Sequence, residues 1–149
     1  MKIAIGCDHG GIVLKPAIIA CLEKRGIEYV DYGTYTEESV DYPDFAQKVA
    51  EAVAGGVVDK GILLCGTGIG IGIAANKVPG IRCALLSNEF SAKACKEHNN
   101  ANIVSMGGRV TTPEDAVSYL EAWLDAEYQG GRHQRRLDKI TAIEQKYSK

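Results

Sequence analysis

The fold is decided by the stretch DKGILLCGTGIGIGIAANK, residues 59–77. Its apolar run ends at Cys65, and glycines then occupy every second position from Gly66 to Gly72. An unbroken apolar run followed by glycine is typical of a strand that is buried on both faces of a parallel sheet. The glycines let the backbone turn sharply, and Ile69–Lys77 then reads as a helix whose first N–H groups point back at the turn.

Cys65 is the last residue of this predicted strand. The sequence predicts an exposed thiol at the carboxyl edge of the sheet, where open α/β sheets bind their ligands and where the next helix dipole favours a thiolate. Two nucleotide-binding motifs are excluded, because a dinucleotide fingerprint needs glycine where Ile71 or Ile73 stands and a P-loop needs Gly-Lys-Ser/Thr. A tight turn around a buried structural cysteine explains this stretch equally well, so the rest of the chain must decide.

Composition indicates a soluble protein with one domain over residues 1–149. Apolar residues make up 46% and charged residues 24% of the chain, and the net charge is -2. Such a balance gives no attraction to nucleic acid or to anionic membranes, so neither is an expected partner. No apolar run is long enough to span a bilayer, and the N-terminus MKIAIGCDHGG lacks a signal-peptide layout. The five cysteines form no CxxC motif, which indicates a reduced protein of the cytoplasm.

Strands and helices alternate along the chain, with glycine or proline at most boundaries. Besides the strand that ends at Cys65, the predicted strands are Lys2–Cys7, Glu28–Tyr32, Arg82–Leu86 and Ile103–Met106. The predicted helices run over residues 10–25, 42–55, 69–77, 89–97, 113–128 and 132–146, the fifth capped by Thr112. This pattern predicts an α/β fold, a three-layer α/β/α sandwich with a Rossmann-like five-stranded parallel sheet and an additional C-terminal helix.

Asp8 and His9 follow the first strand, in the stretch CDHGG. The first and third strands of such sheets are often neighbours, so this turn is expected to face Cys65. A carboxylate, an imidazole and a thiol in one crevice form a set of general acid and base groups. Taken alone, Asp8 is better explained as a helix cap and His9 as a surface residue.

The second half of the chain offers a histidine and several arginines. Arg132 and Arg136 are four positions apart, so one helix face carries both and they can clamp a single anion. Spacing does not exclude Arg135, and Arg109 at the end of the fifth strand adds to the case for an anion site. A solvated basic face explains the arginines more simply, and the helix dipole explains His98 at a helix end.

Taken together, these stretches resemble the type B ribose-5-phosphate isomerase family, sugar-phosphate isomerases that also include galactose-6-phosphate isomerase subunits. The similarity extends over essentially the whole chain. The matching stretches are GCDHGG at 6–11, DYPDFA at 41–46, ILLCGTGIGIGIAANK at 62–77, EHNNANIVSMGGR at 97–109 and AWLDAEYQGGRHQRRLDKITAIE at 122–144.

The resemblance implies that D-ribose 5-phosphate and D-ribulose 5-phosphate are interconverted through an enediolate, without metal or cofactor, in the non-oxidative branch of the pentose phosphate pathway. By family role, Cys65 moves the proton between C1 and C2, and His98 opens the furanose ring with help from Asp8. The implied holders of the developing oxyanion are Thr67 and the backbone N–H groups of Gly66, Thr67, Gly68, Ile69 and Gly70. The implied ligands of the sugar and its phosphate are Asn99, His9, Arg109, Arg132 and Arg136.

The place of His98 predicts a homodimer with active sites that both subunits share. The helix that ends at His98 runs back to the amino edge of the sheet, and about nine residues at about 1.5 Å each cover ~14 Å. One pentose does not easily bridge that distance to Cys65. A partner subunit is therefore expected to supply some of His98, Asn99, Arg132 and Arg136, and the resemblance implies shared sites as well.

Three other functions stay open at this point. The first is an isomerase of a six-carbon sugar phosphate, and the second is a non-catalytic module that binds phosphosugars. The third is a cysteine hydrolase that uses Cys65 or Cys7, for which the sequence holds no local signature. Asp8, His9 and His98 have the residue types of metal ligands, but their spacing matches no standard metal motif.

Overall fold

A five-stranded parallel sheet forms the centre of the computed structural model, which describes residues 1–148. The strand order is β2-β1-β3-β5-β4, and each neighbouring pair is parallel. The strands β1 to β5 are Lys2–Cys7, Glu28–Asp31, Lys60–Cys65, Cys83–Leu85 and Ile103–Gly107. The helices α1 to α6 are Lys15–Lys24, Tyr42–Ala54, Ile69–Ala75, Glu89–Glu97, Pro113–Asp125 and Arg132–Tyr147.

Helices cover both faces of the sheet because successive strand residues point to opposite sides. On β3, Ile62 and Leu64 join the core cluster under α1, α4 and α5, which also contains the fully buried Trp123. Leu63 and Cys65 join a second cluster under α2 and α3. The prediction of a three-layer α/β/α sandwich with five parallel strands is therefore confirmed.

The carboxyl ends of β1 and β3 meet at the switch point of the sheet. β2 lies on one side of β1 and β3 on the other, as predicted for the first and third strands. The turn after β1 approaches β3 very closely: a Cβ atom added to Gly11 would lie 2.2 Å from the carbonyl carbon of Leu64. The N–H of Asp8 also donates to the carbonyl oxygen of Leu64 at 3.0 Å. Only glycine lets these two turns touch.

The bounds of several elements differ from the predictions. The edge strands β2 and β4 are shorter by one and two residues, and a 3-10 turn over residues 12–14 precedes α1, which begins at Lys15. α3 ends at Ala75 rather than Lys77, and the side chain of the next residue, Asn76, exchanges hydrogen bonds of 2.7 and 3.0 Å with the backbone of Cys83. The predicted cap of α5 is confirmed, since Thr112 Oγ1 accepts the N–H of Asp115 at 3.1 Å.

α6 packs on the rest of the molecule mainly through its first two turns. Of its residues only His133 and Leu137 are buried, whereas Ile140, Ile143 and Tyr147 are exposed. These exposed residues border a groove of about 710 Å³ between α6 and the segment that joins α3 to β4. No helix in the described part of the chain is both long and apolar enough to cross a membrane.

Candidate active site

Cys65 ends β3 and lies under the glycine turn. The prediction of an exposed thiol is wrong, because Cys65 is only 4% exposed. The turn curls over the side chain, and the N–H of Gly68 donates to Cys65 Sγ at 3.0 Å. Gly68 has a φ of +79°, a conformation that glycine adopts without strain. The turn therefore aims a backbone donor at the sulfur.

The same turn carries backbone donors with no acceptor. The N–H groups of Gly66, Thr67 and Gly70 donate to no protein atom of residues 1–148, whereas the N–H of Ile69 donates to Thr67 Oγ1 at 3.2 Å. Free N–H groups at a turn into a helix bind negative oxygens. The turn can thus hold an oxyanion next to the sulfur.

Tyr42, at the start of α2, forms a wall of this turn. An added Cβ atom on Gly70 would lie 2.6 Å from Tyr42 Cζ and 2.8 Å from its hydroxyl oxygen. The sequence alone predicts no role for Tyr42, although the matching stretch DYPDFA contains it. Gly70 is therefore required for packing against Tyr42, whereas Gly68 is required for its backbone conformation.

Asp8 and His9 stand beside the turn, at the end of β1. Asp8 is buried, and its Oδ1 accepts the N–H groups of Gly10 and Gly11 at 2.8 and 3.1 Å, so it does bind the backbone as its simpler interpretation predicts. His9 is half-buried, and its Nδ1 accepts the N–H of Val40 at 3.2 Å. In the neutral imidazole the proton therefore sits on Nε2, which is left to donate to a ligand.

Arg109 brings positive charge to the same place. The backbone N–H of Arg109 donates to the carbonyl oxygen of Gly66 at 2.9 Å. A Cβ atom added to Gly66 would lie 3.1 Å from Arg109 Nη1. The guanidinium group therefore covers the glycine turn. We call the residues at this carboxyl edge the thiol cluster: Asp8, His9, Cys65, Thr67 and Arg109.

A buried ion pair that the sequence does not predict holds the segment that reaches His9. Lys15 Nζ is 2.9 Å from Asp31 Oδ2, and Lys15 also donates to the carbonyl oxygen of Thr34. These contacts fix the segment after β2, and Val40 of that segment is the residue that reaches His9. A lysine in the first turn of a helix is ordinarily exposed, so the sequence carries no signal for this pair.

The other predicted residues form a second group. His98 ends α4, and the carbonyl oxygens of Asn99 and Asn100 accept the guanidinium group of Arg82 at 2.9 and 3.0 Å. The ring of His133 in α6 stacks on that of His98, with centroids 4.4 Å apart. We call this group the imidazole cluster: His98, Asn99, Arg132, His133 and Arg136.

The two clusters lie at opposite edges of the sheet. The thiol cluster follows the carboxyl ends of β1, β3 and β5, whereas Arg82, which binds the end of α4, directly precedes β4. Strands of six residues span about 20 Å. The expected placement of His98 at the amino edge is confirmed, and one chain does not bring the predicted site residues together.

Three of the other cysteines are poor nucleophiles because of their surroundings. Burial raises the pKa of Cys7 to about 11, the pKa of Cys95 to about 11 and the pKa of Cys83 to about 12. Such thiols stay protonated at neutral pH. A role for Cys7 as a hydrolase nucleophile therefore has no support. Within residues 1–148, no three His, Cys, Asp or Glu side chains are grouped so that they could hold a metal ion.

Comparison with known proteins gives one consistent result. A family described as Ribose/Galactose Isomerase matches residues 3–140. Ribose-5-phosphate isomerase B of Escherichia coli K12 is 54% identical over 145 residues, which cover 97% of each chain. A D-erythrulose-4-phosphate isomerase of Pectobacterium atrosepticum is 44% identical over 94% of this chain and 93% of its own. A structure of Clostridium thermocellum ribose-5-phosphate isomerase B superposes with a TM-score of 0.98 at 57% identity, covering 99% of this chain and 100% of that one.

Proposed function

The chain belongs to the ribose/galactose isomerase family, and we propose that it interconverts D-ribose 5-phosphate and D-ribulose 5-phosphate. The observation that carries the proposal is the thiol of Cys65 beside the free N–H groups of the glycine turn. A base next to an oxyanion holder is what proton transfer alongside a carbonyl group requires. The names of the relatives from Escherichia coli and Clostridium thermocellum support a five-carbon substrate.

In the proposed reaction the Cys65 thiolate removes the proton from C2 of the open-chain aldose. The electron pair forms the C1–C2 double bond, and O1 takes up negative charge. The N–H groups of Gly66, Thr67 and Gly70 stabilise that oxygen, and one such donor typically contributes about 3 kcal/mol. A proton then passes from O2 to O1, and the thiol returns its proton to C1, which gives the ketose.

Ring opening and phosphate binding fall to the remaining residues. His98 donates a proton to the ring oxygen as the C1–O4 bond breaks, and Asp8 assists by accepting the proton of the C1 hydroxyl, which becomes the carbonyl group. Asn99 binds the sugar. The ligands of the phosphate are His9, Arg109, Arg132 and Arg136. This binding energy, remote from the reacting carbons, holds C1 and C2 against the thiol.

The active enzyme in this proposal is a homodimer in which the imidazole cluster of one subunit completes the thiol cluster of the other. The positions of the clusters at opposite edges of the sheet support this arrangement, because a pentose phosphate is far shorter than the sheet. The exposed apolar residues of α6, Ile140, Ile143 and Tyr147, support it as well, since apolar surface is typical of subunit interfaces.

The test uses purified, chelator-treated protein and follows ribulose 5-phosphate formation from ribose 5-phosphate. We expect conversion by the wild type and a loss of at least about 100-fold in Cys65→Ala, because a positioned base contributes that much. Cys21→Ala, at a buried cysteine of α1 outside both clusters, is the matched control and should keep full activity. Conversion that survives in Cys65→Ala would move the base elsewhere, and loss of conversion by chelation would refute the metal-free chemistry.

A four-carbon substrate is the second candidate. The relative from Pectobacterium atrosepticum, whose name gives D-erythrulose 4-phosphate, is 44% identical to this chain. Comparing kcat/KM for four-, five- and six-carbon sugar phosphates decides among the substrates. Binding without turnover of any of them would instead favour the phosphosugar-binding module. With ribose 5-phosphate as substrate, the enzyme would act in the non-oxidative branch of the pentose phosphate pathway.

A further inference from the structure

Two imidazole rings are stacked where α6 meets α4. The ring centroids of His98 and His133 are 4.4 Å apart, and the ring planes differ by 13°. His133 is 7% exposed, and its Nε2 is a buried polar atom without a hydrogen-bond partner in residues 1–148. A buried histidine ordinarily has its nitrogens satisfied, so this ring is held by its contact face and not by a hydrogen bond of Nε2.

The backbone around the two rings is tied together. The N–H of Gln129 donates to the carbonyl oxygen of Glu97 at 3.0 Å, and the side chain of Gln129 donates to the Glu97 carboxylate at 3.2 Å. Leu137, one turn after His133, is the other buried residue of α6. The end of α4 and the start of α6 thus form one unit, which holds His133 against His98.

We propose that His133 is a positioning residue, whose ring fixes the plane of the His98 imidazole for opening of the sugar ring. The inference rests on the proposed function, in which His98 donates the proton to the ring oxygen. His98 ends its helix and is half-buried, so its own helix leaves the ring free to rotate about χ1 and χ2. The flat face of His133 removes that freedom.

The charges around the pair suit this role. Burial lowers the pKa of His133, and the positive charges of His98, Arg132 and Arg136 lower it further, while Glu97 opposes them. With its pKa below the ordinary value near 6.5, His133 is neutral at pH 7. A neutral ring can stay stacked while His98 gains and loses its proton, whereas two charged rings at this distance would repel each other.

The chemistry of the two sugars separates ring opening from the proton transfer at C1 and C2. Ribose 5-phosphate is closed through its O4 and must open before it reacts. Ribulose 5-phosphate carries phosphate on O5, the only oxygen that could close a five-membered ring on C2, so it is always open. A residue that serves ring opening is therefore needed for the aldose and not for the ketose.

The experiment measures single-turnover rates for both sugars with enzyme in excess. Nearly all of the sugar is then bound, so that ring opening in solution cannot supply the site with open-chain ribose 5-phosphate. In His133→Leu, which removes the flat ring, we expect the rate with ribose 5-phosphate to fall by about 10- to 100-fold. The rate with ribulose 5-phosphate should stay within about threefold of wild type, since it needs no ring opening. His133→Phe keeps a flat ring of similar size and should restore the aldose rate to within about threefold.

Three results would overturn the inference. An unchanged aldose rate in His133→Leu would show that the stack is dispensable, and an equal loss with both sugars would show that His133 only supports the fold. A loss in His133→Phe as large as in His133→Leu would assign the role to the imidazole nitrogens. If wild type converts neither sugar, the proposed function fails instead. The ring-proton NMR signals of His98 then still test the stack: they should shift in His133→Leu and not in His133→Phe.

Discussion

Replacing Lys15 by methionine tests how the segment after β2, which contacts His9 through Val40, is held in place. Lys15 Nζ and Asp31 Oδ2 are 2.9 Å apart, and their side chains are 9% and 21% exposed. Removing one partner of such a pair leaves an uncompensated charge and costs about 3 to 5 kcal/mol. For a chain of this length each kcal/mol lowers Tm by about 3 °C, so we expect Lys15→Met to lower Tm by about 9 to 15 °C.

The second partner decides whether the uncompensated charge causes this loss. In Lys15→Met/Asp31→Asn the charge is gone, and the asparagine Oδ1 can still accept the N–H of Gly33, as Asp31 Oδ1 does at 2.8 Å. We expect the double variant to recover at least about half of the stability that Lys15→Met loses, even though it carries one more substitution. Urea denaturation followed by circular dichroism, at one fixed protein concentration, gives the free energies of unfolding.

An exposed ion pair supplies the control. Arg25 contacts Asp125 on the surface, where the two side chains are 29% and 63% exposed. Arg25→Met should cost no more than about 1 kcal/mol, because water screens such pairs. If Lys15→Met costs no more than Arg25→Met, the buried pair does not fix the segment after β2, and the account of how His9 is positioned is wrong.

Four further predictions follow from single features. Mixing inactive Cys65→Ala and His98→Asn proteins should restore part of the activity after verified subunit exchange, and no recovery would remove the shared site. Gly11→Ala should prevent soluble expression or abolish activity, since its Cβ would enter the β3 backbone. Native protein treated with iodoacetamide at pH 8 should keep Cys7 unmodified in peptide maps, because burial raises its pKa to about 11 and keeps it protonated. Thr112→Ala should lower the free energy of unfolding by about 1 kcal/mol through loss of the α5 cap.

The sequence predicts the elements best where a local rule acts. Glycine after an apolar run marks the end of β3, and Thr112 before a proline marks the start of α5. The ends of α3 and α5 coincide with contacts to residues outside each helix. The side chain of Asn76 binds the backbone of Cys83, at the start of β4, and Gln129 after α5 binds Glu97 at the end of α4. Such contacts exist only once the sheet has formed.

The candidate site divides in the same way. The strand-end rule correctly places Cys65 and Asp8 at one edge of the sheet, and helix length correctly places His98 at the other. The sequence left open whether Cys65 is exposed or buried, because its burial depends on the path of the turn around the sulfur. The role we propose for His133 was not predictable, since it arises from the way α6 docks on α4.

The position of the thiol and imidazole clusters at opposite edges also bears on inheritance. In the proposed dimer each of the two sites takes one cluster from each chain. A chain that lacks either Cys65 or His98, paired with a normal chain, inactivates one site and leaves the other intact. A chain that lacks both Cys65 and His98 spoils both sites of every mixed pair. Such an allele would lower activity more than either defect alone, since it withdraws normal subunits from use.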